Sequence, residues 1–274
     1  MGDGLGGRAG PVNELVRIEI PGRWEDQAEE TVFIGRALQA WFYRELATRD
    51  DGLATALHDM SGEKPFSIAL RRQPDVRLVI TAYGLLAPFV QELSRAMPDR
   101  LLLNARWWRR EGEALVERCT WPDLAAGLLA PAPESRATMT FVTPTTFRSR
   151  GNYLPLPVPQ LVFGGLLERW QTWAPVDLGV EAGTALDGIV VRRHRLASVA
   201  VQLKGLVPGF VGAAEFEARQ SEGPYAGLVG VLARFARFAG VGAKVSTGFG
   251  CVDVATAAGR RRAASERASG TGTE

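Results

Sequence analysis

The stretch VNELVRIEI, residues 12–20, alternates polar and apolar side chains, which predicts a strand with one buried face. Pro21 and Gly22 are expected to end this strand. Residues 31–48 carry apolar side chains at helical spacing and predict an amphipathic helix. Residues 53–59 predict one or two further helical turns. A strand and then helical segments therefore begin the first structural unit.

The rest of the first half completes a β-α-β-β-α-β order. Two strands are predicted over residues 65–72 and 76–83, a helix over 85–97 and a last strand over 100–106. This order is the plan of the ferredoxin-like fold. The stretch LLAPAPESRA, rich in proline and alanine, marks a boundary at residues 128–137.

The same pattern begins again in the second half. The predicted elements are a strand over 139–147, a helix over 157–173, a hairpin of strands 188–193 and 196–203, a strand over 210–219, a helix over 224–238 and a strand over 248–255. We therefore predict an α+β chain with two tandem ferredoxin-like domains, at residues 12–130 and 135–256. The same four-stranded sheet is the scaffold of the common RNA-recognition module. Residues 1–11 and 257–274 are expected to be disordered.

Charge is distributed unevenly along the chain. The formal net charge of the 274 residues is only +2. Residues 1–134 hold 16 basic and 20 acidic side chains, whereas residues 135–274 hold 16 basic and 10 acidic ones. A basic half on a nearly neutral protein favours an anionic partner such as nucleic acid.

The composition argues against several classes of protein. No run of about 18 apolar residues occurs, so neither a membrane-spanning helix nor a membrane partner is expected. Cys119 and Cys251 lie far apart in sequence, which argues against a disulfide scaffold and fits a reducing cytoplasm. The two cysteines and two histidines show no metal-ligand spacing, so no metal site is expected, and no other cofactor is predicted.

The strongest chemical signal is AGVGAKVSTGFGCV, residues 239–252, which is predicted to lie between a helix and a strand. Glycines there permit a positive φ and let the backbone approach a phosphate closely. The segment is neither a dinucleotide fingerprint nor a P-loop, because Val245 replaces a required glycine and Lys244 follows alanine. An ordinary glycine-rich turn is the alternative. The candidate RNA contacts in this loop are Gly240, Gly242, Lys244 and Gly248.

Four stretches carry a resemblance to a known family. The glycine-rich segment is similar to the C-terminal loop of the RAMP proteins of CRISPR systems. Three others resemble the CRISPR-associated endoribonucleases of the sixth Cas family, which process precursor guide RNA. They are FVTPTTFRSRGNYLPLPVPQLVFGGLLERW (141–170), GLVPGFVGAAEFEA (205–218) and ALHDMSGEKPF (56–66) together with Tyr43. The resemblance spans about residues 12–255.

The resemblance places that family's tyrosine, histidine and lysine on Tyr43, His58 and Lys64. RNA can be cut without a metal because its own 2′-hydroxyl attacks the adjacent phosphate, leaving a 2′,3′-cyclic phosphate and a 5′-hydroxyl. A histidine suits the proton transfer, a lysine stabilises charge, and a tyrosine can orient the reacting groups. The alternatives are a surface histidine, a core tyrosine and a solvated lysine. The alternative function is a non-catalytic RAMP subunit that only holds guide RNA.

Further basic side chains are candidate RNA contacts. They are Arg148 and Arg150, near a loop at 151–159, and Arg192, Arg193, His194 and Arg195 at the tip of the predicted hairpin. A solvated turn is the alternative for the hairpin. Trp107 and Trp108 are adjacent, and strand alternation is expected to bury one of them. The expected partner is CRISPR repeat RNA, with a CRISPR effector complex and a second copy of the chain as further candidates.

Overall fold

The structure, a computed structural model, describes residues 13–26, 33–220 and 222–256. The segments predicted to be disordered, 1–11 and 257–274, lie outside the described residues. The elements of the first half are β1 (Glu14–Trp24), α1 (Gly35–Ala47), α2 (Asp51–Asp59), β2 (Phe66–Arg71), β3 (Arg77–Tyr83), α3 (Ala87–Ala96), β4 (Arg100–Leu103), β5 (Arg106–Arg110), β6 (Leu115–Thr120) and α4 (Trp121–Ala125).

The second half holds a similar series of elements. They are β7 (Arg136–Thr145), β8 (Phe147–Ser149), β9 (Asn152–Leu154), α5 (Pro159–Trp173), α6 (Ala182–Ala185), β10 (Ile189–Gln202), β11 (Leu206–Ala218), α7 (Leu228–Ala239) and β12 (Val252–Thr256). Single 3₁₀ turns occur at Gly84–Leu86, Ala126–Leu128, Leu186–Gly188 and Val245–Thr247. In the part of the chain that the structure describes, every helix is too short or too polar to cross a membrane.

The two halves build sheets with the same strand order. The first sheet runs β2-β3-β1-β6, with β5 and β4 added beside the end of β1. The second runs β10-β11-β7-β12. If the strands of each unit are numbered one to four along the chain, both orders read 2-3-1-4, and all neighbours are antiparallel. This arrangement is ferredoxin-like in each half, so the predicted fold class is confirmed.

The prediction for the fourth strand of the first unit was wrong. That strand is β6, whereas residues 100–106 belong to the β4–β5 hairpin, which turns at Asn104 and Ala105. The prediction that Pro21 and Gly22 end β1 was also wrong, since the strand continues to Trp24 and pairs there with β5. Gly22 lets the Trp108 ring pack against the strand, because a Cβ at Gly22 would lie 2.2 Å from that ring.

The hairpin predicted over residues 188–203 was wrong as well. Those residues form the single strand β10, which pairs with β11 along almost its whole length. The segment VVRRHRLA contains neither glycine nor proline to reverse the chain, and one register shift between Val191 and Arg193 absorbs its irregularity. The turn that joins β10 to β11 lies instead at Leu203–Gly205.

The core consists of two large apolar clusters. One lies between the first sheet and helices α1 to α3, and the other between the second sheet and helices α5 and α7. Leu15, Tyr83 and Trp121 come from the first half of the chain but pack in the second cluster. Apolar packing therefore crosses the middle of the chain, and the domain division at residues 130–135 stays a prediction.

Ion pairs join the two sheets through buried side chains. Arg17 on β1 is only 1% exposed and pairs with Glu19 at 2.8 Å and with Asp253 on β12 at 3.1 Å. Its guanidinium also donates to the carbonyl of Arg237 on α7 at 2.9 Å. Arg71 on β2 pairs with the same Asp253 at 3.3 Å. Because a buried charge needs partners, this network stabilises one relative position of β1, β2 and β12.

Candidate active site and basic cavity

Helices α1 and α2 bring Tyr43 and His58 together. Asp50 caps α2 by accepting a hydrogen bond from the Leu53 amide at 2.8 Å, so the helix begins at once after α1. Tyr43 lies late on α1, and its ring contacts the His58 ring edge to face, with 5.6 Å between centroids. The Tyr43 hydroxyl donates to the Leu57 carbonyl at 3.4 Å. His58 is exposed in the last turn of α2, so its imidazole is open to a substrate.

Lys64 reaches the same place from the segment before β2. Its ammonium donates to the carbonyls of Leu57 and His58, the latter at 3.1 Å, and so satisfies the C-terminal end of α2. The nitrogen lies 5.7 Å from the centre of the Tyr43 ring. An ammonium has three N–H groups, so one remains for an anion. The structure therefore gathers all three residues of the predicted trio, and Lys64 is not simply a solvated charge.

Burial shifts the pKa of two members of the trio. It raises the pKa of Tyr43 to about 12, further above physiological pH, where a phenol is already neutral. Partial burial lowers the pKa of Lys64, and the carboxylate of Asp59 opposes that shift. Of the three side-chain types, imidazole is the one that commonly exchanges a proton near neutral pH.

A buried arginine ties the segment of Lys64 to the glycine-rich loop. Arg169 on α5 is 3% exposed and pairs with Glu63 at 2.9 Å. It also donates to the carbonyls of Gly240 at 2.9 Å and Gly242 at 2.6 Å. Sequence reasoning missed this contact. The sequence did contain a signal for a buried arginine: Arg169 lies on the apolar stripe of α5, in the segment LLERW, whose other residues are mostly buried.

The glycine-rich loop is packed against the protein. Gly240, Gly242 and Gly248 have φ values of 70°, 80° and 93°, as their residue type predicts. A Cβ on Gly242 would lie 2.3 Å from the Thr146 carbonyl oxygen, so this glycine permits a close approach of two backbones. Most loop amides donate to protein acceptors; the donors include Gly240, Val241, Ala243, Thr247, Phe249 and Gly250. The basic side chain that this loop carries is that of Lys244.

Lys244 borders a cavity of about 280 Å³. We call it the basic cavity; its lining includes Arg36, Gln39, Tyr153, Lys204, Lys244 and Thr247. The Arg148 guanidinium lies 4.1 Å from the centre of the Tyr153 ring and donates to the Tyr153 hydroxyl at 2.9 Å. Arg148 and Lys244 were predicted as RNA contacts. Arg36, Tyr153 and Lys204 were missed, because three separate segments bring them together.

The other predicted RNA contacts lie elsewhere. Arg150 lies at the turn between β8 and β9, with φ 50°. On β10, Arg192 pairs with Glu217 at 3.3 Å and Arg193 with Glu215 at 2.5 Å, so both charges have carboxylate partners. His194 and Arg195 follow on the same strand and are exposed. None of these residues lines the basic cavity.

Two neighbouring tryptophans follow strand alternation as predicted. Trp108 is fully buried, whereas Trp107 is 42% exposed and carries the Arg100 guanidinium 4.6 Å from its ring centre.

No group of three histidine, cysteine, aspartate or glutamate side chains that could hold a metal ion is found within residues 13–26, 33–220 and 222–256.

The chain is similar to known proteins in sequence as well as in fold. Residues 139–252 match the family described as CRISPR-associated endoribonuclease Cas6. The resemblance to the Cas6 family is confirmed. The Cas6 of Mycobacterium tuberculosis (strain CDC 1551 / Oshkosh) is 34% identical over 137 residues, which are 47% of this chain and 42% of that protein. The match thus spans less than half the length of this Cas6 relative.

Solved Cas6 structures match over most of the chain. A Cas6 product complex is 28% identical and has a TM-score of 0.71, covering 89% of this chain and 100% of that one. Thermus thermophilus Cas6 is 27% identical, with a TM-score of 0.65 and coverage of 89% and 98%. The structural likeness to Cas6 therefore extends beyond residues 139–252 into the half that carries Tyr43, His58 and Lys64.

Proposed function

We propose that this protein is an endoribonuclease that cuts CRISPR precursor RNA within its repeats, without a metal ion, and so releases guide RNAs. The observation that carries the proposal is the exposed His58 imidazole, held against Tyr43 and beside the Lys64 ammonium. This cluster lies in a fold that matches Cas6 structures over most of the chain. The basic cavity supplies a separate surface for the RNA backbone.

The proposed reaction is an internal transesterification of RNA. The 2′-oxygen forms a bond to the adjacent phosphorus while the bond from phosphorus to the 5′-oxygen breaks. The proton lost by the 2′-hydroxyl is balanced by the proton that the departing 5′-oxygen gains. His58 acts as the general acid or base in this exchange. The products are a 2′,3′-cyclic phosphate and a 5′-hydroxyl.

The other two residues act on charge and position. The free N–H of Lys64 donates to a phosphate oxygen and stabilises the negative charge that grows in the transition state. Tyr43, a neutral phenol whose pKa burial raises to about 12, supports the His58 ring from one side. Neither residue needs to change its protonation state during the reaction.

The proposal includes the cellular setting. The RNA partner is the CRISPR repeat, held by the basic cavity together with Arg148 and Arg150, and by the exposed His194 and Arg195 of β10. The cytoplasm is the proposed location, and a CRISPR effector complex or a second copy of the chain remains a candidate partner.

One observation favours a second candidate function. Two of the three N–H groups of Lys64 already satisfy the end of α2, a role that needs no catalysis. A non-catalytic RAMP subunit would use the basic cavity to hold guide RNA and would have no need of an exposed His58. This candidate predicts RNA binding without cleavage.

Cleavage of two matched RNAs tests the proposal. One is the all-ribose repeat RNA, and the other carries a single 2′-deoxynucleotide at the scissile position, both in EDTA. We expect cleavage of the all-ribose strand alone, with a cyclic phosphate on its 5′ product. Cleavage of the deoxy strand, or a requirement for added metal, overturns the mechanism. Tight binding with no cleavage of either strand, with and without Mg²⁺, supports the non-catalytic function instead.

A further inference from the structure

Lys64 lies in an irregular segment between α2 and β2. Residues 60–65 form neither helix nor strand, and Gly62 has φ 91°, with no atom within 4 Å of a Cβ added there. After Lys64, the Pro65 carbonyl accepts a hydrogen bond from the Tyr83 amide of β3 at 3.1 Å. The sheet thus holds the segment on the C-terminal side of Lys64, whereas the N-terminal side begins at an open glycine and needs a contact of its own.

Glu63 makes that contact with Arg169. The Nε and one Nη of Arg169 donate to the same Glu63 oxygen, at 3.1 and 2.9 Å. The guanidinium also donates to the carbonyls of Gly240 and Gly242, so all three of its nitrogens have acceptors. Arg169 is 3% exposed on the 15-residue helix α5. Because a buried guanidinium requires its partners and has a rigid fork geometry, it fixes Glu63 relative to α5 and the glycine-rich loop.

The link acts on Lys64 through position rather than through charge. Burial lowers the pKa of Lys64 and the Asp59 carboxylate opposes that shift, whereas Glu63 directs its oxygen at Arg169. Glu63 and Lys64 are consecutive residues, so a movement of one displaces the other. A displacement of about 1 Å at a reacting group can lower a rate by about 10²-fold.

We propose that Arg169 is a positioning residue for the reaction: by holding Glu63, it fixes the Lys64 ammonium beside His58. Tyr43, His58 and Lys64 all belong to the first half of the chain, whereas Arg169 and the glycine-rich loop belong to the second. The second half therefore aligns a reaction centre whose three side chains it does not supply. The inference rests on the proposed function, in which Lys64 stabilises the transition state.

Glu63→Ala is the first test, because it breaks the link at a partly exposed side chain and leaves the core intact. Its matched control is Glu117→Ala. Glu117 is 43% exposed, against 42% for Glu63, and its ion pair with Arg237, at 2.6 Å, also joins the two halves of the chain. At saturating RNA, Glu63→Ala should lower the single-turnover cleavage rate by at least about tenfold, with RNA affinity unchanged. Glu117→Ala should change neither, and equal rates for the two variants would overturn the proposal.

Two further comparisons separate position from stability. Glu63→Gln keeps one side-chain oxygen, the number that Arg169 uses, and loses the charge. We expect it to restore the cleavage rate although its resistance to urea falls. In a Lys64→Ala background, Glu63→Ala should slow cleavage no further, because no ammonium remains to be misplaced. A rate that follows stability across these variants, or a full effect of Glu63→Ala without Lys64, contradicts the proposal.

An NMR signal reports the position of Lys64 without any cleavage. The chain has three lysines, Lys64, Lys204 and Lys244, so lysine labelled with ¹³C at the ε-carbon gives three signals, and Lys64→Arg identifies one of them. The Lys64 nitrogen lies 5.7 Å from the centre of the Tyr43 ring, whose ring current displaces the signal of the adjoining ε-protons. In Glu63→Ala, this signal should move toward that of a free lysine while the Lys204 signal stays in place. An unmoved Lys64 signal would overturn the proposal.

The two measurements distinguish this inference from the proposed function. If the wild-type protein does not cut repeat RNA, the nuclease function fails, and a moved Lys64 signal still supports the link from Arg169 to Lys64. If the wild-type protein cuts the RNA and Glu63→Ala cuts it equally fast, the nuclease function stands and this inference alone fails.

Discussion

The trio and the basic cavity use charge in opposite ways. In the trio, Tyr43 is a neutral phenol whose pKa burial raises, and hydrogen bonds engage two of the three N–H groups of Lys64. In the cavity, Arg36, Lys204 and Lys244 face one space without a carboxylate among the described residues that line it. Proton transfer requires controlled protonation, whereas phosphate binding requires charges that stay uncompensated. Changes in the trio should therefore alter the cleavage rate, and changes in the cavity should alter RNA affinity.

The largest expected effect is that of His58→Ala. Removing a general acid or base should lower the single-turnover cleavage rate by about 10³-fold, or about 4 kcal/mol. RNA affinity should stay within about twofold, because His58 lies outside the basic cavity. Gel-based cleavage and filter binding measure the two quantities. His194→Ala, on the exposed surface of β10, is the matched control; it removes a proposed RNA contact and should retain the wild-type rate at saturating RNA. If His194→Ala abolishes cleavage and His58→Ala does not, the catalytic histidine is His194.

The Arg17 network provides a structural contrast to the cavity, because its cation is buried and paired. Arg17→Met leaves Glu19 and Asp253 without this partner and should lower the free energy of unfolding by about 3 kcal/mol. Arg193→Met breaks one pair in which the arginine is mostly exposed and should cost less than about 1 kcal/mol. Urea unfolding of both variants measures the difference. Equal losses would show that burial does not distinguish these two cations.

Tyr43→Phe tests whether the phenol is a neutral support. Losing its hydrogen bond to Leu57 should lower the cleavage rate by about tenfold or less, because that bond is worth about 1 kcal/mol. With a pKa raised to about 12, the phenol keeps its proton at lower pH and deprotonates only as pH rises through that value. The pH dependence of the rate between pH 6 and 9 should therefore keep its shape in the variant. An alkaline inflection that disappears with Tyr43→Phe would contradict this role.

The smallest effect should come from the glycine-rich loop. Lys244 has φ 66°, so Lys244→Gly removes the ammonium and keeps the left-handed backbone accessible. RNA affinity should fall by about threefold to tenfold, in line with loss of a phosphate contact, while the rate at saturating RNA stays unchanged. Lys244→Arg keeps the charge and should bind nearly as the wild type does. A fall in the saturated rate with normal affinity would place Lys244 in the chemistry rather than in binding.

Local patterns were good predictors of single elements. Apolar spacing predicted α1 and α3, and the repeated order of elements predicted two ferredoxin-like units. The predictions were wrong where contacts with other strands and side chains determine the extent of an element. Pro21 and Gly22 suggested a strand end, but a neighbouring tryptophan ring and a second partner strand extend β1 beyond them. The charged run on β10 resembled a turn, although pairing with β11 carries it through as one strand.

The candidate site likewise has one part that the sequence predicted and one part that it did not. The residue types and the family resemblance were sufficient to select Tyr43, His58 and Lys64, and the structure places these side chains side by side. The basic cavity could not be predicted, because α1, the β8–β9 hairpin, the β10–β11 turn and the glycine-rich loop each supply part of it. The sequence around Lys204 does not indicate that Tyr153 lies nearby, and the sequence around Tyr153 does not indicate Lys204.

The sequence by itself determined the alternation of strands and helices, the uneven charge and the residue types available for chemistry, since these depend on near neighbours in the chain. Only the tertiary structure decided which strand closes the first sheet, where the free cations converge and how Arg169 links Glu63 to the glycine-rich loop. Those outcomes depend on contacts between residues far apart in sequence, and burial and charge pairing in the folded chain select among them.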